Sequence, residues 1–296
     1  MYYYRGFGLI IASQIMLPEL LPYTLTSTPD VHISIGKTPE KLTAAGTVHK
    51  VGYAINPNEY LLQFLNVANY YAANGNNIIV EPLAGSDEKS VRLFLLTGVM
   101  AAILHQRNAV ALNAAAIKHL DGVVLFCGYA GSGKSAMLTK FIQNGYKPFC
   151  DDVCLIQHND VKAMAAYPTI KNWENTFTGM GLPIPSTDNK IRPNLPKYAT
   201  YFHDEFDTDA LPVKTIFIIH KDHIAKSVEI KKLAGIEAFA EVHNNVYHRL
   251  QIYPMKKEAI HFQAISKLVA NINVYQVTRS SNTGFDELFQ TIQKHL

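Results

Sequence analysis

The sequence predicts an α/β fold in two parts. A smaller β-rich domain spans residues 1–86 and a larger domain of alternating strands and helices spans 87–296. Three observations predict it. Short branched and aromatic runs separated by turn clusters fill the first part. Apolar runs of strand length alternate with helical patterns in the second. Between one such strand and one such helix lies Gly128-Tyr-Ala-Gly-Ser-Gly-Lys-Ser135, which fits G-x-x-x-x-G-K-[ST] without a mismatch.

In order, residues 3–11 are aromatic and branched, 31–35 alternate with period two, and 77–80 form another short strand-like run. Asn56-Pro-Asn58 and residues 73–77 are the turn clusters between them. The opening tyrosines Tyr2, Tyr3 and Tyr4 suit core or interface packing, which leaves a homo-oligomer open. Residues 87–106 predict a helix, because Val91, Leu95, Val99 and Ala102 recur at helical spacing. Residues 109–117 and 122–127 predict neighbouring strands leading into the glycine-rich loop, the second a buried parallel strand. Behind the loop, Met137 with Phe141 and Leu138 with Ile142 share one helical face, and Asn144-Gly145 stops the helix.

Residues 146–156 read as an apolar strand carrying two adjacent carboxylates, Asp151 and Asp152, on opposite faces. An acid pair in such a run is costly unless a cation meets it, which points to a functional use. Residues 180–212, rich in Pro, Asn and Asp, predict a long loop suited to a lid or substrate groove. Residues 213–220 and 274–277 predict strands; 235–246, 261–271 and 285–295 predict helices.

Composition bounds the function. Of 296 residues, 48% are hydrophobic and 17% charged, enough for a substantial core. A net charge of +3, with Lys and Arg scattered, argues against nucleic acid. The longest uncharged apolar stretch, 93–104, is too short to span a membrane, and no signal peptide is evident, so a cytoplasmic location is expected. Cys127, Cys150 and Cys154 form neither a disulfide framework nor a zinc pattern. His220-Lys-Asp-His223 invites a metal reading but reads better as a solvated loop.

The loop carries the chemistry. Its glycines let backbone N–H groups turn toward phosphate oxygens, and the following helix adds its unsatisfied N–H groups. Gly128, Tyr129, Ala130, Gly131, Ser132, Gly133, Lys134, Ser135 and Ala136 are the expected nucleotide-binding residues. Lys134 is placed to reach the β- and γ-phosphates of ATP, and the Ser135 hydroxyl to ligate Mg²⁺.

With Asp151 and Asp152 following Lys134 by 17 and 18 residues, the chain resembles the kinase domain of HPr kinase/phosphorylase. His105-Gln-Arg107, the element from Pro168 to Trp173 and the element from Val274 to Arg279 resemble a branch encoded beside peptide-modifying genes, including lasso-peptide kinases. The resemblance implies an ATP- and Mg²⁺-dependent serine kinase. It implies that Asp152 takes the proton from the acceptor serine and that Asp151 is its metal-side partner. The family's catalytic histidine falls at Asn113, which cannot carry a proton. Its metal-binding glutamate has Glu174 as the nearest candidate, and its catalytic arginine is replaced by Lys231 or Lys232. The implied acceptor is a peptide or small protein, foremost a ribosomally made precursor peptide. An HPr-type phosphocarrier and a catalytically silent nucleotide-binding module are the alternatives.

Overall fold

A computed structural model describes residues 1–157, 160–225 and 227–296. Among them the fold is mixed α/β, with two nine-stranded sheets and a two-stranded ribbon. The first sheet runs, in spatial order, Leu21–Pro22, Tyr2–Gly6, Leu9–Ser13, Val31–Ile35, Asn77–Pro82, Ala68–Ala73, Glu59–Phe64, Tyr53–Ile55 and Val48–Lys50. Its alternating strands bury one face; in Ala68–Ala73, for example, Ala68, Tyr70 and Ala72 are buried.

The helical stretch after this sheet is interrupted. Glu88–Phe94 and Met100–Gln106 are α-helical, but Leu95–Val99 forms a π turn between them. Asp87 caps the first helix, its carboxylate accepting from the Ser90 N–H. The expected domain boundary at residue 86 falls just ahead of this helix. Leu95, Val99, Met100 and Ile103 nevertheless share a core with Tyr4, Ile11, Ile33 and Tyr70 of the first sheet.

The second sheet positions the glycine-rich loop. Gly122–Cys127, all six residues buried, lies between Ala114–His119 and Leu211–Lys221. The pairing with Leu211–Lys221 is parallel, as expected. The pairing with Ala114–His119 is antiparallel, because Leu120 at φ 51° and Asp121 close a tight hairpin. Asn273–Arg279 continues the parallel set beside Leu211–Lys221, and Glu229–Leu233, unforeseen in the sequence, forms the edge. Lys147–Cys150 pairs antiparallel to Ala114–His119 and so runs in the same direction as Gly122–Cys127. The C-terminal ends of these parallel strands therefore share one edge of the sheet, the location where α/β sheets present functional loops.

Two expectations are corrected. Residues 146–156 are not one strand: Lys147–Cys150 ends before Asp151, and Cys154–Gln157 begins a separate pairing with Val110–Leu112. Asp152 occupies the break at φ 67°, so the two carboxylates do not alternate across a pleat. Residues 180–212 are not one long loop, since Lys197–Tyr201 pairs with Thr169–Trp173. The helices Lys134–Gln143, Gly235–Asn244, Glu258–Asn271 and Phe285–Gln293 fall close to their expected places. Among the described residues no helix is long and apolar enough to cross a membrane.

Candidate active site

The loop leaves the buried end of Gly122–Cys127 and enters Lys134–Gln143 through three left-handed glycines: Gly128, Gly131 and Gly133, at φ 142°, 81° and 111°. At Gly128 a Cβ would lie 2.4 Å from the Ile219 carbonyl oxygen, so no other residue fits there. Two long-range side chains hold the loop. Asn245 accepts a hydrogen bond from the Gly128 N–H through Oδ1 (2.7 Å), and Arg279 donates through Nε (2.9 Å) and Nη2 (2.8 Å) to the Ser132 carbonyl. Among the described residues Ser132 Oγ is buried without a hydrogen-bond partner.

Lys134 is buried and folds back, donating to the carbonyls of Gly128 (2.7 Å) and Tyr129 (3.3 Å). Burial depresses its ammonium pKa, against the pull of Cys127, Asp152 and Asp151. Across the loop, Ser135 Oγ donates to Asp151 Oδ1 at 2.8 Å. The other Asp151 oxygen accepts from the Lys171 backbone N–H at 2.9 Å. Asp152, partly exposed, accepts from Lys171 Nζ at 2.8 Å, and the same ammonium donates to the Tyr167 hydroxyl at 2.9 Å.

The two aspartates therefore differ electrostatically. Burial, then the negative charge of Asp152, raises the Asp151 carboxyl above its ordinary value. Burial pushes Asp152 the same way, but the Lys171 and Lys197 ammoniums outweigh it and hold Asp152 well below the ordinary range. The Lys171 ammonium is in turn held well above its ordinary value, because Asp152 and Tyr167 together outweigh the cost of burying it.

The structure thus brings Lys134, Ser135, Asp151 and Asp152 together at one sheet edge. Asn113 sits beside them between two strands: its N–H donates to the Asn245 carbonyl, and the next residue, Ala114, donates to the Asp152 carbonyl at 3.3 Å. Two expected residues do not join the group. Glu174 lies exposed at the start of the helix Glu174–Gly179, where its carboxylate accepts from the Tyr198 hydroxyl at 3.2 Å. Lys232 is exposed on the edge strand Glu229–Leu233, and Lys231 there pairs with Glu237 at 2.9 Å. The cations that do meet the site are Lys171, Lys197 and Arg279. Two of these stand in the quoted elements around Trp173 and Arg279, but nothing local marks them as site residues.

The donor set suits a magnesium nucleotide. Ser135 Oγ and Asp151 Oδ1 supply adjacent hard oxygen ligands at a helix start, and the loop provides a glycine cradle with the Lys134 ammonium bonded to its carbonyls. Among the described residues no group of three or more His, Cys, Asp or Glu side chains could hold a metal on its own. His220 is not in a loop; it is the penultimate residue of the strand Leu211–Lys221 and pairs with Glu241 at 3.0 Å. All three cysteines are free and buried. A cavity of about 40 Å³ is lined by Lys171 and Tyr167 together with Glu19, Arg92 and Tyr201.

No family model matches the chain, and no curated protein matches it. Among solved structures it is similar to the Hpr(Ser) kinase/phosphatase from Coxiella burnetii, with a TM-score of 0.33 and 12% identity over 62% of this chain and 89% of that one. A likeness of that size carries no argument about activity.

Proposed function

We propose that this protein is an ATP- and Mg²⁺-dependent kinase that transfers the γ-phosphoryl group to a serine hydroxyl. The observation that carries the reading is the Ser135–Asp151 hydrogen bond beside Lys134, with Asp152 adjoining it. On this reading Lys134 leaves the loop carbonyls and turns to the β- and γ-phosphates. Ser135 and Asp151 would hold the metal, whose charge would offset that developing on the phosphate oxygens. Asp152 accepts the hydroxyl proton as the oxygen–phosphorus bond forms and the bond to ADP breaks. The loop and Lys134 act chiefly by positioning and by charge.

The acceptor we favour is a serine of a ribosomally made peptide, supported only by the resemblance of the quoted sequence elements. A phosphocarrier protein is the second choice within the same chemistry. A silent nucleotide-binding module is favoured by Asn113 and opposed by the intact Asp151-Asp152 pair.

The test is Lys134→Ala. Because, among the described residues, the Lys134 ammonium bonds only carbonyls of its own loop, the variant is expected to keep its structure. Phosphoryl transfer from labelled ATP falls by about 10²-fold or more. Undiminished transfer by the folded variant rejects the assignment, whereas ATP binding without transfer by the wild type favours the silent module.

A further inference from the structure

We propose that Lys171 is a positioning residue for phosphoryl transfer: it holds the Asp152 carboxylate in the orientation that meets the acceptor hydroxyl. The proposal rests on the kinase reading above. Asp152 sits in the gap between Lys147–Cys150 and Cys154–Gln157, at φ 67°, with its side chain 25% exposed. No ladder pairing orients it. Among the described residues, the one hydrogen bond its carboxylate accepts comes from Lys171, onto Oδ2. The geometry commits one oxygen to the lysine and leaves Oδ1 for the acceptor.

Lys171 is itself fixed from three directions. The pairing of Lys171 with Ala199 sets its place in the ribbon. Its backbone N–H is bonded to Asp151 Oδ2. Its ammonium, on a residue only 5% exposed, donates to the buried Tyr167 hydroxyl as well as to Asp152. One residue therefore touches both aspartates, through the backbone on the metal side and through the side chain on the acceptor side. A hydrogen-bonded carboxylate held this way starts the reaction already aimed, and misplacement by about 1 Å costs up to roughly 10²-fold in rate.

A lysine that merely neutralised a buried charge would show the same contacts, so the test separates the two roles. The full chain is given Mg²⁺ and ATP with water as the acceptor, and phosphate release is followed for the wild type, Lys171→Met, Asp152→Asn, the double variant and Lys171→Arg. Lys171→Met is expected to lower kcat by about 10- to 100-fold with the KM for ATP unchanged. In the Asp152→Asn background the same substitution costs nothing further, and Lys171→Arg recovers most of the rate. Lys171→Leu, which likewise removes the donor, replaces Lys171→Met if the latter does not fold. An equal loss in both backgrounds, a wild-type rate in Lys171→Met, or a change confined to KM overturns the proposal. Failure of the kinase reading shows separately, as a wild type whose phosphate release does not depend on Lys134, and it removes the proposal with it.

Discussion

Asp151 is 1% exposed behind Ser135, and burial, followed by the charge of Asp152, raises its carboxyl to about 6. Below that pH the group is protonated and is a poor ligand for a hard cation; above it the carboxylate is available. The Mg²⁺ affinity of the nucleotide complex is therefore expected to fall as pH drops through about 6. Asp152 does not contribute to this limb, because its carboxyl is held down to about 2 after Lys171 and Lys197 outweigh burial. Titrating Mg²⁺ against fluorescent ATP at several pH values checks the point. Asp151→Asn flattens the dependence, and an unchanged limb in that variant assigns it to another group. The same residue bears on stability with the opposite sense. A raised carboxyl binds more protons in the folded state, so its burial cost is absent below the ordinary carboxylate pKa and grows as pH rises toward 6.

At the scale of elements, the loop is held by a helix far from it in sequence. Asn245 follows the helix Gly235–Asn244, and its side chain bridges the Gly128 N–H and the Glu241 carbonyl. Its own carbonyl accepts from Asn113, which ties the loop to the strand break that holds Asp152. Asn245→Ala leaves the Gly128 N–H buried and unpaired, at a cost of about 1–3 kcal/mol. The expected result is a lower melting temperature together with weaker ATP binding, both measurable in one thermal-shift series with and without Mg-ATP. Equal losses with and without nucleotide would show that the bond supports only the fold.

This bond also marks how far the sequence could be read. Gly128 to Ser135, the strand before it and the helix behind it are legible because glycine spacing and apolar periodicity are local signals. The aspartate pair is legible as chemistry, but its place in a break is not, because an apolar run does not show where pairing partners change. Lys171, Asn245 and Arg279 reach the site from 19, 117 and 147 residues away along the chain. Only tertiary packing brings them in: Arg279 ends a strand of the second sheet, Lys171 stands on the ribbon and Asn245 follows the helix Gly235–Asn244. The exposed places of Glu174 and Lys232 follow from the same cause: proximity in sequence to a site element does not aim a side chain at it.

For the molecule as a whole, the core runs across the expected boundary at residue 86. Tyr4, Phe7, Ile11 and Tyr70 from residues 1–86 share one cluster with Leu95, Leu96, Val99, Met100 and Ile103, and with Tyr167 and Tyr247 close to the site. Glu19 adds a polar link, pairing with Arg92 at 2.9 Å and accepting from Thr169 through its carbonyl. Exposing those five apolar side chains alone would cost roughly 7–15 kcal/mol at about 1.5–3 kcal/mol each. That is as large as the whole stability of a typical domain, about 5–15 kcal/mol. A chain of 296 residues ordinarily unfolds in parts, but here the main core cluster of the first part is completed by residues of the second. Denaturant unfolding is therefore expected to be a single transition. Fluorescence of the one tryptophan, Trp173, which stands on the site ribbon, and far-UV circular dichroism, which reports both sheets, should give coincident midpoints. Two separated transitions, with Trp173 following only one, would show that residues 1–86 hold themselves together and that the shared core adds little to either side.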